Sequence, residues 1–214
     1  MPFDRGFIRR RINQIKQFSA TGRSLDVGCG LGEVPRLLSQ LGYDAEGLDE
    51  SSAVINVLSR QAKSVKWHCG TVSEVLPTLG LFDVVTLYHV LEHIPDPIRA
   101  VEGILKNVRP GGLLIIEVPN AGGLFTRLMG PRWHYYLDHH VNYFGKRHFY
   151  KIATEFGCEV LRIKGDYDFT YPTGRGWKIV VKRMLCMIGF QDVISVVLRK
   201  KKMKVMDNFF ISNC

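Results

Sequence analysis

Residues 25–33 read LDVGCGLGE: an apolar–acid–apolar run, Leu25-Asp26-Val27, enters three glycines spaced two apart, Gly28, Gly30 and Gly32. The preceding Arg23-Ser24 opens a short strand, and EVPRLLSQLG from Glu33 has helical periodicity closed by Gly42. Glycines between a strand and a helix let the backbone turn sharply and approach a ligand with no Cβ in the way. The dinucleotide fingerprint GxGxxG would put its third glycine at position 33, where Glu33 stands. An acid in the first helical turn also opposes a phosphate at that helix N-terminus. The next strand, DAEGLDE, places Asp49 where a carboxylate can accept both hydroxyls of a ribose. Loop and acid together point to a nucleoside with a cationic or zwitterionic tail. The plainer alternative is a tight turn needed only for packing.

The strand–turn–helix pattern continues outward. SAVINVLSRQA is a helix capped by Ser51 or Ser52, SVKWHCG a third strand, and FDVVTLYHV a fourth whose apolar run fits burial on both faces. PIRAVEGILKNV is a helix entered through Pro97, RPGG a turn, and LLIIEVP a fifth strand. A helix over 146–156, a strand over 159–164 and a last strand over 193–199 follow. Strands alternating with helices imply an α/β fold, a parallel doubly wound sheet with helices on both faces. The expected organisation is a basic amphipathic helix over 1–20 and a single domain over 21–202. That domain carries an aromatic-rich insertion at 131–150 and a basic apolar segment at 172–191, and a tail follows at 203–214.

Composition narrows the class. Apolar residues make up 46% of the 214, which suits a globular core and excludes global disorder. No apolar run approaches the roughly 20 residues needed to span a bilayer. Five cysteines without CxxC spacing favour reduced thiols and a cytoplasmic setting. The net charge of +9 is uneven: residues 1–20 carry +4 and 172–214 carry +7, leaving 9 − 4 − 7 = −2 for the body. Basic ends on a near-neutral body suit peripheral contact with an anionic membrane, or a solubilising fringe. Trp177 to Phe190 adds a mostly apolar face with basic flanks, which suits an interfacial helix, a core helix or a dimer contact.

With these stretches read, LDVGCGLGE, GLDES, FDVVTLYHVLEHIPDP and LKNVRPGGLLIIEVPN resemble, in order and spacing, the motifs of class I S-adenosylmethionine-dependent methyltransferases. The similarity covers about residues 22–165 and is to the broad branch acting on quinols, polyketides, lipids and glycans. It implies a Rossmann-like seven-stranded sheet in the order 3-2-1-4-5-7-6 with the seventh strand antiparallel. It implies S-adenosylmethionine as cofactor, with Asp26, Gly28, Cys29, Gly30 and Gly32 at the methionine part, Asp49 at the ribose and Glu50 beside the adenosine. Where the family usually carries an acid after the third strand, this chain has Cys69-Gly70-Thr71, so adenine recognition would fall to Gly70, Thr71 or backbone groups. Tyr88 and His89 would face cofactor and acceptor.

On the acceptor side, WHYYLDHHVNYFGKRHF is similar to a W…H…F pattern of the same branch, with His140 at its histidine and Phe144 at its aromatic. His140 and His89 are the expected catalytic histidines, and Trp133, His139 and Tyr143 the expected acceptor-binding residues. A histidine in such a loop can equally be hydrogen-bonded structure, and the aromatics can simply cap the sheet edge. The stretch YHVLEH (88–93) contains His-x-x-Glu-His, a pattern found in some zinc enzymes. It follows a buried strand instead of lying on a helix, so it reads as a wall between methyl donor and acceptor, and no metal ligand is assigned. The expected function is methyl transfer to oxygen of a small-molecule, lipid-linked or glycan acceptor; nucleic acid is disfavoured because no Asn/Asp-Pro-Pro-aromatic motif follows the fourth strand. The rivals are an RNA methyltransferase and a non-catalytic S-adenosylmethionine-binding protein.

Overall fold

The computed structural model describes residues 5–166 and 191–202; residues 172–190 of the basic apolar segment and the 203–214 tail lie outside them. The elements in chain order are α1 (Arg5–Phe18), β1 (Arg23–Val27), α2 (Glu33–Gln40), β2 (Asp44–Asp49), α3 (Ser52–Gln61), β3 (Lys66–Cys69) and α4 (Val72–Val75). They continue with β4 (Phe82–Tyr88), a 3-10 turn (Leu91–His93), α5 (Pro97–Lys106), β5 (Val108–Pro119), α6 (Leu124–Met129), α7 (Lys146–Glu155), β6 (Cys158–Asp166) and β7 (Val193–Lys200). The strands form one sheet in the order β3-β2-β1-β4-β5-β7-β6, with β7 antiparallel to both neighbours. This is the expected Rossmann-like topology.

Two apolar layers hold the sheet. Successive strand residues point to opposite faces, so Leu25, Val27, Val85, Leu87, Leu114 and Ile116 join Val101, Ile104, Phe149 and Ile152 on one side. Val84, Leu113, Ile115 and Val197 meet Phe7, Ile12, Ile15 and Leu38 of α1 and α2 on the other. Arg109-Pro110-Gly111-Gly112 lies inside β5, not before it: Phe82 pairs with Val108, and the register then jumps to Val84 with Leu113. The extra residues bulge out between two paired stretches, with Gly111 at φ +86°.

The basic ends are partly internal. Arg11, on the apolar stripe of α1, is buried. Lys200 donates from Nζ to the carbonyls of Leu105 (2.7 Å) and Val108 (2.9 Å), holding the end of α5 to the sheet. Among the described residues no helix is long and apolar enough to cross a membrane.

Candidate functional site

The first part of the site is backbone. Gly28 takes φ +66°, and a Cβ there would fall 2.3 Å from Val90 Cγ2. Gly32 takes φ +68°, and its Cβ would meet the Trp67 ring at 2.5 Å. Only glycine fits either position without strain. Asp49 at the end of β2 locks the loop: its Oδ2 accepts from Gly30 N (2.9 Å) and its Oδ1 from Ser51 N (2.9 Å). Each carboxylate oxygen keeps a lone pair for a ligand hydroxyl. Gly28, Leu48, Asp49, Glu50, Gly70 and Thr71 line a cleft of about 1020 Å³ that runs past Val90 to His93. It opens at the carboxyl ends of the parallel strands, where open α/β sheets bind ligands. A glycine cradle beside a carboxylate fits S-adenosylmethionine.

Two expected contacts have other employment. The Cys29 thiol packs with Ile55 and Leu58 behind the loop, where burial and the Asp26 and Asp49 charges keep it protonated. The Thr71 hydroxyl donates to Glu74 Oε2 (2.8 Å) and accepts from Glu74 N (3.3 Å), a reciprocal cap on α4.

The second part lies beneath α1, on the sheet face carrying Asp26, Thr86, Tyr88 and Glu117. Asp26 is buried and accepts from Thr86 Oγ1 at 2.6 Å. Burial pushes its carboxyl up to about 7, against that hydrogen bond and the Arg11 charge. Arg11 donates through Nε (3.2 Å) and Nη2 (2.7 Å) to Glu117 Oε1, and its guanidinium stands 4.1 Å from the Tyr88 ring centre. Tyr88 therefore packs under α1, and its hydroxyl, with no hydrogen-bond partner among the described residues, is pushed well above the usual phenol range by burial.

His89 is the one described non-glycine residue with positive φ (57°). This turn at the end of β4 places its ring between two carboxylates. Nδ1 lies 3.2 Å from Glu92 Oε1, and Nε2 lies 3.6 Å from Glu117 Oε1 with no hydrogen-bond partner among the described residues. Burial opposes protonation, but the Glu92 hydrogen bond and the Glu117 charge raise its pKa above the ordinary imidazole value. Sequence reading missed Arg11, Glu92 and Glu117. A lone arginine on the α1 stripe and a lone acid inside LLIIEVP were the available signals.

The third part is the loop over 133–144. Tyr135 stacks between His89 (6.3 Å) and His140 (6.1 Å), bringing the loop over the end of β4. Trp133 is buried among Tyr135, Val193 and Tyr143, and its Nε1 lacks a hydrogen-bond partner among the described residues. His140 is buried and donates from Nδ1 to the Tyr135 carbonyl at 2.8 Å; desolvation holds it neutral, with its pKa lowered. His139 is exposed, with its ring 5.0 Å from that of His140. The structure thus gathers His89, Trp133, His139, His140 and Tyr143 in one cluster beside the donor cleft.

Comparison with known proteins agrees with this architecture. The sequence profile of the methyltransferase domain family matches residues 3–163. The ubiquinone biosynthesis O-methyltransferase of Colwellia psychrerythraea is 36% identical over 101 residues, 45% of this chain and 41% of that protein. Its namesake from Coxiella burnetii is 31% identical over 100 residues, 45% of this chain and 43% of that protein. The chain thus spans less than half the length of these curated relatives. A S-adenosylmethionine-dependent methyltransferase from Archaeoglobus fulgidus superposes with a TM-score of 0.69 at 17% identity, covering 91% of this chain and 93% of the other. Magnesium protoporphyrin IX methyltransferase from Synechocystis, solved with bound S-adenosylhomocysteine, gives 0.67 at 13% identity over 92% and 83%. With a profile match over well more than half its length on this seven-stranded sheet, the chain belongs to the methyltransferase domain family of class I, S-adenosylmethionine-dependent methyltransferases.

Proposed function

We propose that the chain methylates a hydroxyl oxygen of a small-molecule or lipid-linked acceptor, with a ubiquinone-type phenol the first to test. S-adenosylmethionine, when bound, supplies an electrophilic methyl carbon on a sulfonium leaving group. Asp49 would accept hydrogen bonds from the ribose hydroxyls, and the Gly28–Gly30 backbone would hold the methionine part. The remaining tasks are to align the acceptor and remove its proton.

The observation that carries this reading is the His89–Glu92 pair. Glu92 fixes Nδ1 of His89 and leaves Nε2, buried 3.6 Å from Glu117 Oε1 and without a hydrogen-bond partner among the described residues, as the nitrogen assigned to take a proton once an acceptor is bound. A carboxylate on one ring nitrogen makes the other more basic, whereas burial makes His140 less so. His89 is therefore assigned the base, and His140, Trp133 and Tyr143 the acceptor wall. The assignment of oxygen rests on the two curated O-methyltransferase relatives.

His89→Gln is expected to lower kcat by roughly 100-fold or more, with S-adenosylmethionine affinity by calorimetry unchanged within about threefold. In the unsubstituted enzyme the rate rises with pH as His89 loses its proton, along a limb displaced above the ordinary imidazole value; the limb disappears in the variant. Near-normal turnover by His89→Gln would remove the base assignment. Loss of cofactor binding would instead point to a structural role.

A further inference from the structure

We propose that His93, His139 and His140 form a binding site for one divalent transition-metal ion, with zinc the reference ion. The ligand atoms of the three imidazoles all lie within 4.8 Å of one another. They come from two segments that the backbone ties together. Val141 N and Asn142 N both donate to the Glu92 carbonyl (3.0 and 3.1 Å), and Asn142 Nδ2 donates to the Ile94 carbonyl (2.7 Å). The 3-10 turn and the 139–142 loop are thus held in register without any ion.

Tautomers point the same way. His93 Nδ1 lies 3.0 Å from the His139 carbonyl, and His140 Nδ1 lies 2.8 Å from the Tyr135 carbonyl. A carbonyl oxygen can only accept, so both Nδ1 atoms carry the hydrogen and both Nε2 atoms keep their lone pairs. A backbone carbonyl on the far nitrogen is how metal-binding histidines are ordinarily oriented. Burial is graded: His140 is buried, while His93 and His139 are exposed, which leaves solvent a path to the site.

The donor set selects the ion. Three imidazoles with no carboxylate or thiolate suit zinc, cobalt, nickel or copper, and not magnesium or calcium, which need oxygen ligands. Tetrahedral zinc at about 2.0–2.1 Å requires nitrogens about 3.3 Å apart. The exposed His93 and His139 rings can close that gap by side-chain rotation. The site also resolves the His-x-x-Glu-His pattern: His93 faces the loop histidines, while Glu92 holds His89. A bound ion would clip the 133–144 loop to the end of β4.

The test uses the untagged full chain, stripped with chelator and titrated with cobalt and then zinc. One equivalent is expected, with the visible spectrum of low-coordinate cobalt, zinc displacing it, and a raised melting temperature. His93→Gln and His139→Gln should each weaken binding at least tenfold, while His134→Gln in the same loop leaves it unchanged. Zinc-edge X-ray absorption on the unsubstituted protein reads the site without mutation and should give three imidazole ligands. Sulfur ligation, fewer than two imidazoles, binding no stronger than millimolar, or His93 and His139 variants that bind as tightly as the unsubstituted protein would each overturn the proposal.

Discussion

At the donor end, the glycine loop and Asp49 lie within residues 25–49, and backbone amides and missing Cβ atoms do most of the shaping. At the His89 end, Arg11, His89, Glu92, Glu117 and Tyr135 come from α1, the position just after β4, the following turn, β5 and the 133–144 loop. The donor end is a local structure whose requirements are conformational. The His89 end is a long-range assembly of charges and rings whose requirements are electrostatic. Disturbing the first should change ligand affinity; disturbing the second should change stability, pH response or turnover.

The largest expected effect on ligand affinity is at Gly28. Gly28→Val must hold φ +66° and displace Val90, so S-adenosylmethionine affinity by calorimetry should fall by roughly 100-fold or more, about 2.7 kcal/mol. Unchanged affinity would mean the loop is not the donor cradle. The largest effect on stability is at the buried pair beneath α1. Glu117→Ala leaves Arg11 uncompensated and should cost about 3–5 kcal/mol in denaturant unfolding. The double change Arg11→Met with Glu117→Leu should recover most of that loss, which would separate charge from packing.

Asp26 gives a pH signature. Its carboxyl is raised from 3.8 to about 7, so between those values the folded chain keeps a proton that the unfolded chain releases. Its contribution to stability is therefore lost as pH rises from about 4 to about 7, by on the order of 1.4 kcal/mol per unit at most. Asp26→Asn should flatten that slope, measured as unfolding free energy against pH; identical slopes would show the carboxyl ionised throughout. The smallest effect is at Thr71. Thr71→Ala should cost about 1 kcal/mol through loss of the α4 cap, with cofactor affinity nearly unchanged because the hydroxyl is already used.

The same contrast explains what could be read from the chain. The strands, the longer helices and Asp49 follow from short periodic runs and turn residues, and the strand order from the family resemblance that those motifs carry; the short α4 and α6 were not read. The Thr71-Val72-Ser73-Glu74 cap carries a local signature as well, and escaped notice because a ligand was expected there. Arg109-Pro110-Gly111-Gly112 looks like a turn, and only pairing with β4 shows it to be a bulge within β5. The Arg11–Glu117 contact spans 106 positions, and neither residue's neighbours announce it. Nor does the sequence show that the backbone at His89 turns through positive φ, which aims its ring between Glu92 and Glu117.

The place of β7 has a consequence for synthesis. Among the described residues β6 pairs only with β7, and β7 fills the edge of β5 from Leu113 to Pro119. Until the ribosome has delivered residues 193–200, a nascent chain therefore presents an unpaired, strongly apolar β5 edge and a β6 strand with nowhere to dock. Such an edge is a template for other chains. A translation product stopped before Val193 would not be a slightly shorter enzyme but a chain prone to self-association, and a chaperone that shields the β5 edge during elongation would be most useful in that interval.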